Sequence, residues 1–208
     1  GVSMTSYFAP GMAQTSRPKT ALVLGAGSAR GFAHIGVIKA LEAAGIKPDL
    51  IVGASAGSVI GVFYAAGYTG QQMEDIAMKV RDADVIDQSN NSKRGLIAGA
   101  ALQKLINTFV KDKPIESLKI PFVAIATNLK NGEAVQLRTG DTGQAVRASS
   151  SMPGIFLPTS INGAELVDGA ISSPLPVAVA RQMGAEVVIA VDVGSAPQNP
   201  QATGIYEI

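Results

Sequence analysis

The sequence has no cysteine, no tryptophan and a single histidine, and only 16% of its residues are charged. Without cysteine the chain can form neither disulfide bonds nor a thiolate nucleophile. The net charge is +1, which gives no basic surface of the kind that binds nucleic acid. No run of 18 apolar residues occurs, so the sequence predicts no membrane-spanning helix.

What the chain does have is the composition of a globular domain. Its 208 residues are 47% hydrophobic, which is enough for one α/β domain with a real core. Residues 1–19 show no periodicity, and we interpret them as a disordered tag or leader remnant. We expect residues 20–208 to form a single domain that continues beyond residue 208. The expected location is cytoplasmic or peripheral to a membrane, or exported if a leader was removed, and the oligomeric state stays open.

Predicted strands and helices alternate along the chain. Period-two and short apolar runs predict strands at residues 20–24, 48–52, 121–127, 134–138, 165–167 and 186–193. Helical periodicity predicts helices at residues 32–44, 56–66, 69–82, 96–110, 141–150 and 174–183, with a polar loop at 84–94. This alternation predicts a three-layer α/β/α sandwich with a mostly parallel central sheet.

The second predicted strand runs into Gly-x-Ser-x-Gly at residues 53–57, and an apolar helix follows. Strand, sharp turn and helix with a serine at the apex form the layout of a nucleophile elbow. The N–H groups and the dipole at the start of that helix favour developing negative charge beside Ser55. A small-residue turn between two buried elements is the other interpretation of this motif.

A serine nucleophile needs a base, and the candidates are few. The only histidine, His34, lies upstream of Ser55, so the order serine, acid, histidine of the α/β-hydrolases is impossible, and we expect His34 to fill a helix face or bond a nearby loop. Asp168 follows an apolar strand and precedes Gly-Ala, which places a carboxylate at a strand end. It could take the proton of Ser55 directly if burial raises its pKa, or it could simply form an Asp-Gly turn.

Acyl transfer also needs donors for an oxyanion, and residues 25–31 form a small-residue loop between a strand and a helix. Such a loop exposes consecutive N–H groups, with Arg30 as a nearby positive charge or as a salt-bridge partner that pins the loop. The pattern Gly25-x-Gly27-x-x-x-Gly31 also resembles a dinucleotide-binding loop. That site expects an acidic residue where this chain has the Gly-x-Ser-x-Gly motif, so we predict no nucleotide cofactor.

Together these segments resemble the patatin-like phospholipase family, in particular its small bacterial members. The resemblance rests on the loop at residues 25–37, the elbow at 53–57, the segment at 145–156 and Asp-Gly-Ala at 168–170, and it covers about residues 20–195. It implies a Ser55–Asp168 dyad, an oxyanion hole from the N–H groups of Gly27, Ser28 and Ala29, and no metal or other cofactor. The implied activity is hydrolysis of lipid acyl esters as a phospholipase A, lysophospholipase or esterase, on an acyl lipid or a membrane-surface substrate. Two positions depart from the glycine-rich form of the loop, Ala26 and Ser28, and Ala170 replaces a glycine.

Two other functions stay open at this point. The covalent intermediate of the same dyad could pass its acyl group to an acceptor other than water, which would make the protein an acyltransferase. The fold could also serve as a non-catalytic lipid-binding protein. Residues 73–110 are a candidate lid or membrane-docking surface, or an ordinary surface helix.

Overall fold

The computed structural model describes residues 17–90 and 93–194. Residues 1–16 of the expected remnant at 1–19, and the expected continuation beyond residue 208, lie outside the described residues. Residues 17–19 are bonded to the rest of the fold, because the Lys19 carbonyl accepts a hydrogen bond from the Glu186 N–H at 2.8 Å. The Lys19 ammonium group also donates to the Met183 carbonyl at 2.7 Å.

The chain forms nine strands and seven α-helices over the described ranges. The strands are β1 Thr20–Leu24, β2 Leu50–Ala54, β3 Gly95–Ile97, β4 Phe122–Asn128, β5 Ala134–Leu137, β6 Gly154–Phe156, β7 Thr159–Ile161, β8 Ala164–Asp168 and β9 Val187–Val191. The helices are α1 Ala33–Ala43, α2 Ala56–Ala66, α3 Gly70–Ala77, α4 Asp82–Val85, α5 Ala100–Val110, α6 Thr142–Ser149 and α7 Val177–Gln182. Short 3₁₀ helices lie at Ser28–Phe32, Ile115–Ser117 and Gly169–Ile171.

Seven of the strands form one sheet in the order β7-β8-β4-β2-β1-β9, with β5 also paired to β4. Strands β9, β1, β2 and β4 are parallel, whereas β5 and β8 run antiparallel to β4. The two remaining strands, β3 and β6, pair with each other in parallel. The central sheet is therefore mostly parallel, as predicted.

Both faces of this sheet are covered by helices. Alternate residues of β1 illustrate the division, because Leu22 and Leu24 pack on one side and Ala21 and Val23 on the other. The first side carries α1, α2 and α5, and the second carries α7. This arrangement is the three-layer α/β/α sandwich that the sequence predicts.

Three predicted segments need correction. The predicted helix at 69–82 ends as α3 at Ala77, and a separate short helix, α4, follows. The predicted helix at 96–110 begins only at Ala100, because Gly99 has a positive φ of 87° and the preceding residues form β3. The predicted helix at 174–183 is shorter and corresponds to α7, since Pro174 and Pro176 precede it.

Candidate active site

Strands β2 and β8 bring Ser55 and Asp168 together at the middle of β4. Ala54, the last residue of β2, lies opposite Ile125, and Asp168, the last residue of β8, lies opposite Ala126. Because β2 is parallel and β8 antiparallel to β4, their carboxyl ends meet at adjacent positions of that strand. Two residues 113 positions apart in sequence are thereby placed within hydrogen-bond distance.

Ser55 has the backbone conformation of a sharp elbow. Its φ is 53° and its ψ is −122°, which is a strained conformation for a residue with a side chain. The flanking glycines permit a close approach of α2 to the sheet. A Cβ atom at Gly57 would lie 2.0 Å from the Leu24 carbonyl oxygen, and one at Gly53 would lie 2.6 Å from the Gly57 oxygen. The turn is thus tight because both positions lack side chains.

The side chains of Ser55 and Asp168 form a buried hydrogen bond. Ser55 Oγ donates to Asp168 Oδ2 at 2.7 Å. The exposed fraction of Ser55 is 9% and that of Asp168 is 1%. A hydroxyl in contact with a desolvated carboxylate has a proton acceptor in place without any rearrangement.

The environment of Asp168 makes it a stronger base than an ordinary carboxylate. Burial raises the pKa of Asp168, and hydrogen bonds from the Ala170 N–H and from Ser55 partly oppose that rise. The Ala170 N–H donates to Asp168 Oδ1 at 2.8 Å, so the second carboxylate oxygen is held while Oδ2 faces Ser55. Thr127 adds a hydrogen bond from its hydroxyl to the Asp168 carbonyl at 2.8 Å. The bonds from Ala170 and Ser55 therefore fix the orientation of the carboxylate, and the bond from Thr127 holds the backbone of the same residue.

Ser149 supports the elbow, and sequence reasoning did not single out this residue. Its hydroxyl accepts a hydrogen bond from the Ser55 N–H at 3.0 Å and donates to the Ile125 carbonyl at 2.5 Å. The side chain is fully buried. Ser149 therefore links the strained backbone of Ser55 to β4, next to the strand position that faces Asp168. Its separation of 94 residues from Ser55 leaves no local sequence signal for this role.

The loop after β1 begins with two hydrogen-bonded N–H groups. The N–H groups of Gly25 and Ala26 donate to the carbonyls of Val191 and Pro174. Within the part of the chain that the structure describes, the N–H groups of Gly27, Ser28 and Ala29 donate to no acceptor.

Ser28 has a positive φ of 49°, although glycine is the residue that adopts this conformation without strain. The backbone at Ser28 is therefore strained. Gly27 is extended, and a Cβ there would lie 2.5 Å from a methyl group of Val193. The loop therefore packs tightly against the segment that follows β9.

His34 and Arg30 both hold this loop in place. His34 is fully buried, and its Nε2–H donates to the Gly25 carbonyl at 2.8 Å. Its Nδ1 has no partner among the described residues, and burial lowers the pKa of His34. Arg30 is exposed, and its guanidinium donates to the Gly194 carbonyl. His34 thus bonds a neighbouring loop, one of its two expected roles, and Arg30 bonds a carbonyl rather than an acidic side chain.

An open cleft of about 410 Å³ is lined by Ser55 and by part of the loop after β1. Ser55 lies in it together with Gly27, Ser28 and Arg30 of the loop, and Met152 and Leu175 form apolar parts of its wall. Ser55 and two of the three loop residues with unpaired N–H groups, Gly27 and Ser28, therefore line one space that a substrate can enter, whereas Ala29 is not part of its wall.

The profile of the family described as patatin-like phospholipase matches residues 22–181. The chain belongs to the patatin-like phospholipase family. Of the features described above, the elbow, the β1–α1 loop and Asp168 all lie inside the matched residues.

Several curated relatives share this patatin-like domain. An uncharacterized NTE family protein of Mycobacterium tuberculosis is 35% identical over 192 residues, which cover 89% of this chain and 52% of that protein. Patatin-like phospholipase domain-containing protein 6 of Homo sapiens is 37% identical over 88% of this chain and 14% of that protein. Lysophospholipase nte1 of Emericella nidulans is 36% identical over 88% of this chain and 12% of that protein. The patatin-like chain thus spans about half the length, or less, of these relatives.

Among solved structures, VipD from Legionella pneumophila is similar with a TM-score of 0.49 and 14% sequence identity. The similarity covers 76% of this chain and 46% of VipD. Over residues 17–90 and 93–194, no three His, Cys, Asp or Glu side chains of the patatin-like domain are grouped to hold a metal ion. None of the helices in those ranges is long and apolar enough to cross a membrane.

Proposed function

We propose that this chain is a serine acyl hydrolase that cleaves lipid acyl esters, with Ser55 as the nucleophile and Asp168 as the base. The observation that carries the proposal is the buried hydrogen bond of 2.7 Å between Ser55 Oγ and Asp168 Oδ2. Ser55 lies at the elbow before α2 and lines the cleft whose wall also contains Gly27 and Ser28.

The reaction takes place in two steps. Ser55 Oγ attacks the ester carbonyl while its proton passes to Asp168, and the oxyanion accepts hydrogen bonds from the N–H groups of Gly27, Ser28 and Ala29. The tetrahedral intermediate collapses to an acyl-serine, and Asp168 returns the proton to the leaving alcohol. Asp168 then takes a proton from water as the water oxygen attacks the acyl-serine carbonyl. The bond between the acyl carbon and Ser55 Oγ breaks, Asp168 returns the proton to Ser55 Oγ, and the fatty acid is released.

The raised pKa of Asp168 suits both halves of this cycle. A carboxylate with an ordinary pKa near 4 accepts a proton weakly, and a higher value brings it closer to the pKa that a general base needs at neutral pH. Arg30, at the edge of the cleft, adds positive charge near the oxyanion donors and fixes the loop through Gly194. No histidine is needed in this scheme.

Lipid substrates are the class that the family and its relatives favour. The family description names a phospholipase, and one relative is named a lysophospholipase. We therefore propose phospholipids or lysophospholipids, met at a membrane surface or in a micelle, as substrates. The cycle requires neither a metal nor a nucleotide cofactor, and we propose no nucleic-acid partner.

The test is fatty acid release from lysophosphatidylcholine and phosphatidylcholine in mixed micelles. Wild type is expected to release fatty acid, whereas Ser55→Ala and Asp168→Asn are expected to lose at least ~10³-fold in kcat. Ser117→Ala and Asp75→Asn are matched controls, because both residues are exposed and lie outside the cleft. Wild-type turnover that persists in Ser55→Ala contradicts the proposal.

A further inference from the structure

A second cavity, of about 260 Å³, lies at the end of α2 that is farther from Ser55. Ala66, the last residue of α2, and Gly67 form part of its wall, roughly 16 Å along the helix axis from the elbow. The rest of the wall comes from α3, from the end of α5 and from the segment before β4. No residue lines both this cavity and the Ser55 cleft, so the cavity is separate from the candidate active site.

Three lysines line this cavity, and no acidic side chain is part of its wall. They are Lys111, Lys113 and Lys119, and all three are exposed. The ion pairs formed between described residues involve other side chains, and none of the three ammonium groups donates a hydrogen bond there. Lys119 lies over Gly67, because a Cβ at Gly67 would be 2.7 Å from Lys119 Nζ. Like charges repel, so this grouping favours an anion between them.

The lysines do not cap the two helices that end at the cavity, although cationic side chains often bind the last carbonyl groups of a helix. The last four carbonyls of α5, at residues 107–110, accept three backbone N–H groups and, at Phe109, the Tyr68 hydroxyl at 2.7 Å. At the end of α2, the carbonyls of residues 63–65 also accept backbone N–H groups. The ammonium groups are therefore available to a ligand.

Gln72 adds a neutral donor to the same wall. Its Oε1 accepts a hydrogen bond from the Thr69 N–H at 2.9 Å, as part of the capping box at the start of α3. Because the amide oxygen is used in this way, the hydrogen-bonding group that remains is the NH₂ group. Among the described residues, this NH₂ group donates to no acceptor. Gln72 thus complements the three lysines with a further N–H donor.

We propose that this cavity binds a phosphate group, either as free phosphate or as the phosphomonoester headgroup of a lipid. Phosphate oxygens accept hydrogen bonds from ammonium and amide N–H groups and pair with their positive charge. The C-terminal ends of α2 and α5 each contribute about half a negative charge, which three full positive charges outweigh. The volume of 260 Å³ is below the ~300–1,000 Å³ of sites for drug-sized ligands, so it suits a small anionic group.

Titration with inorganic phosphate at constant ionic strength, followed by two-dimensional amide NMR, tests this assignment. In wild type we expect saturable shifts of the amides that line the cavity, such as those of Gly67 and Lys113. Lys113→Gln and Lys119→Gln are each expected to weaken binding about tenfold, as the loss of one charged hydrogen bond predicts. Lys130→Gln is the matched control, because Lys130 is exposed and does not line the cavity. It is expected to keep the wild-type affinity.

Vesicle sedimentation distinguishes the two sources of phosphate. The vesicles contain phosphatidylcholine alone or equal parts of phosphatidylcholine and phosphatidic acid, and all proteins carry Ser55→Ala so that the lipids stay intact. Binding to the phosphatidic acid vesicles that Lys119→Gln weakens and Lys130→Gln does not assigns the lipid headgroup. Phosphate binding at the cavity without such vesicle binding assigns free phosphate.

Neither test depends on turnover, so the site is tested whether or not the dyad proves to be catalytic. Wild-type protein that shows neither phosphate shifts at the cavity nor vesicle binding dependent on Lys119 overturns the assignment. Equal effects of Lys119→Gln and Lys130→Gln also overturn it, because they would show that only the net charge of the protein matters.

Discussion

The position of Ser55 depends on how closely α2 approaches β1, and Gly57→Ala tests this dependence. An added Cβ at residue 57 would lie 2.0 Å from the Leu24 oxygen, 2.5 Å from the Leu24 carbonyl carbon and 2.8 Å from the Gly25 oxygen. Ordinary contacts of a Cβ begin at 3.4 Å, so the helix must retreat by about 1.4 Å. The contacted atoms belong to the backbone of the central sheet, which cannot move aside as a flexible side chain can.

Two consequences follow from that shift. Overpacking of this kind costs about 1–3 kcal/mol of unfolding free energy, which lowers Tm by roughly 2–4 °C per kcal/mol for a domain of this size. Ser55, at the start of α2, moves with the helix and lengthens its 2.7 Å hydrogen bond to Asp168. A misplacement of about 1 Å costs on the order of 100-fold in rate. We therefore expect kcat/KM to fall about 100-fold at a temperature where the variant is folded.

Gly36→Ala is the matched control for this experiment. Gly36 lies in α1, and an added Cβ there meets no atom within 4 Å. Alanine is better than glycine in a helix interior by about 0.5–1 kcal/mol, so this variant is expected to be more stable and equally active. The assay is hydrolysis of p-nitrophenyl butyrate together with thermal unfolding. Wild-type kcat/KM in folded Gly57→Ala protein would refute the argument that this contact positions the dyad.

Three further predictions concern Asp168, Ser149 and His34. The raised pKa of Asp168 means that its contribution to stability is fully present below the unfolded pKa near 3.9 and is lost as pH rises through the folded pKa. Asp168→Asn is therefore expected to be inactive but more stable than wild type at neutral pH. Urea unfolding at several pH values should show that the difference in unfolding free energy between the two proteins shrinks as pH falls. A difference that does not change with pH contradicts this prediction. Ser149→Ala leaves the Ser55 N–H without its acceptor, so we expect it to lower the free energy of unfolding, measured with urea, by about 1–3 kcal/mol and to lower kcat. The control Ser117→Ala is expected to change neither quantity. The lowered pKa of His34 means that wild-type stability declines as pH falls below about 6.5, and the same measurement on His34→Gln should lack that decline.

The sequence predicts the fold where strong local signals agree. Strands β1, β2 and β4 are apolar runs buried on both faces, and α2 lies between the elbow and Gly67, which ends it with a positive φ of 102°. The predicted helix at 69–82 is too long because no glycine or proline follows Ala77 in this segment to mark the end of α3. Asp82 and Asp84 carry the missed signal, since acidic residues favour the first turn of a new helix.

Short strands and long-range contacts could not be predicted in this way. Strands β3, β6 and β7 have three residues each, and the residues of β3 also fit the helical pattern of α5 that follows. Ser55 and Asp168 could be singled out because each lies in a glycine-flanked motif at a strand end. The role of Ser149 depends on contacts between distant segments, and only the folded chain brings these together.

The most direct test of the proposed dyad is covalent labelling with a fluorophosphonate, followed by intact-mass measurement and peptide mapping. We expect one adduct on wild type, located on Ser55, no adduct on Ser55→Ala, and labelling of Asp168→Asn that is slower by at least ~10²-fold. Folded wild-type protein that takes no label, or a label on a residue other than Ser55, would contradict the account.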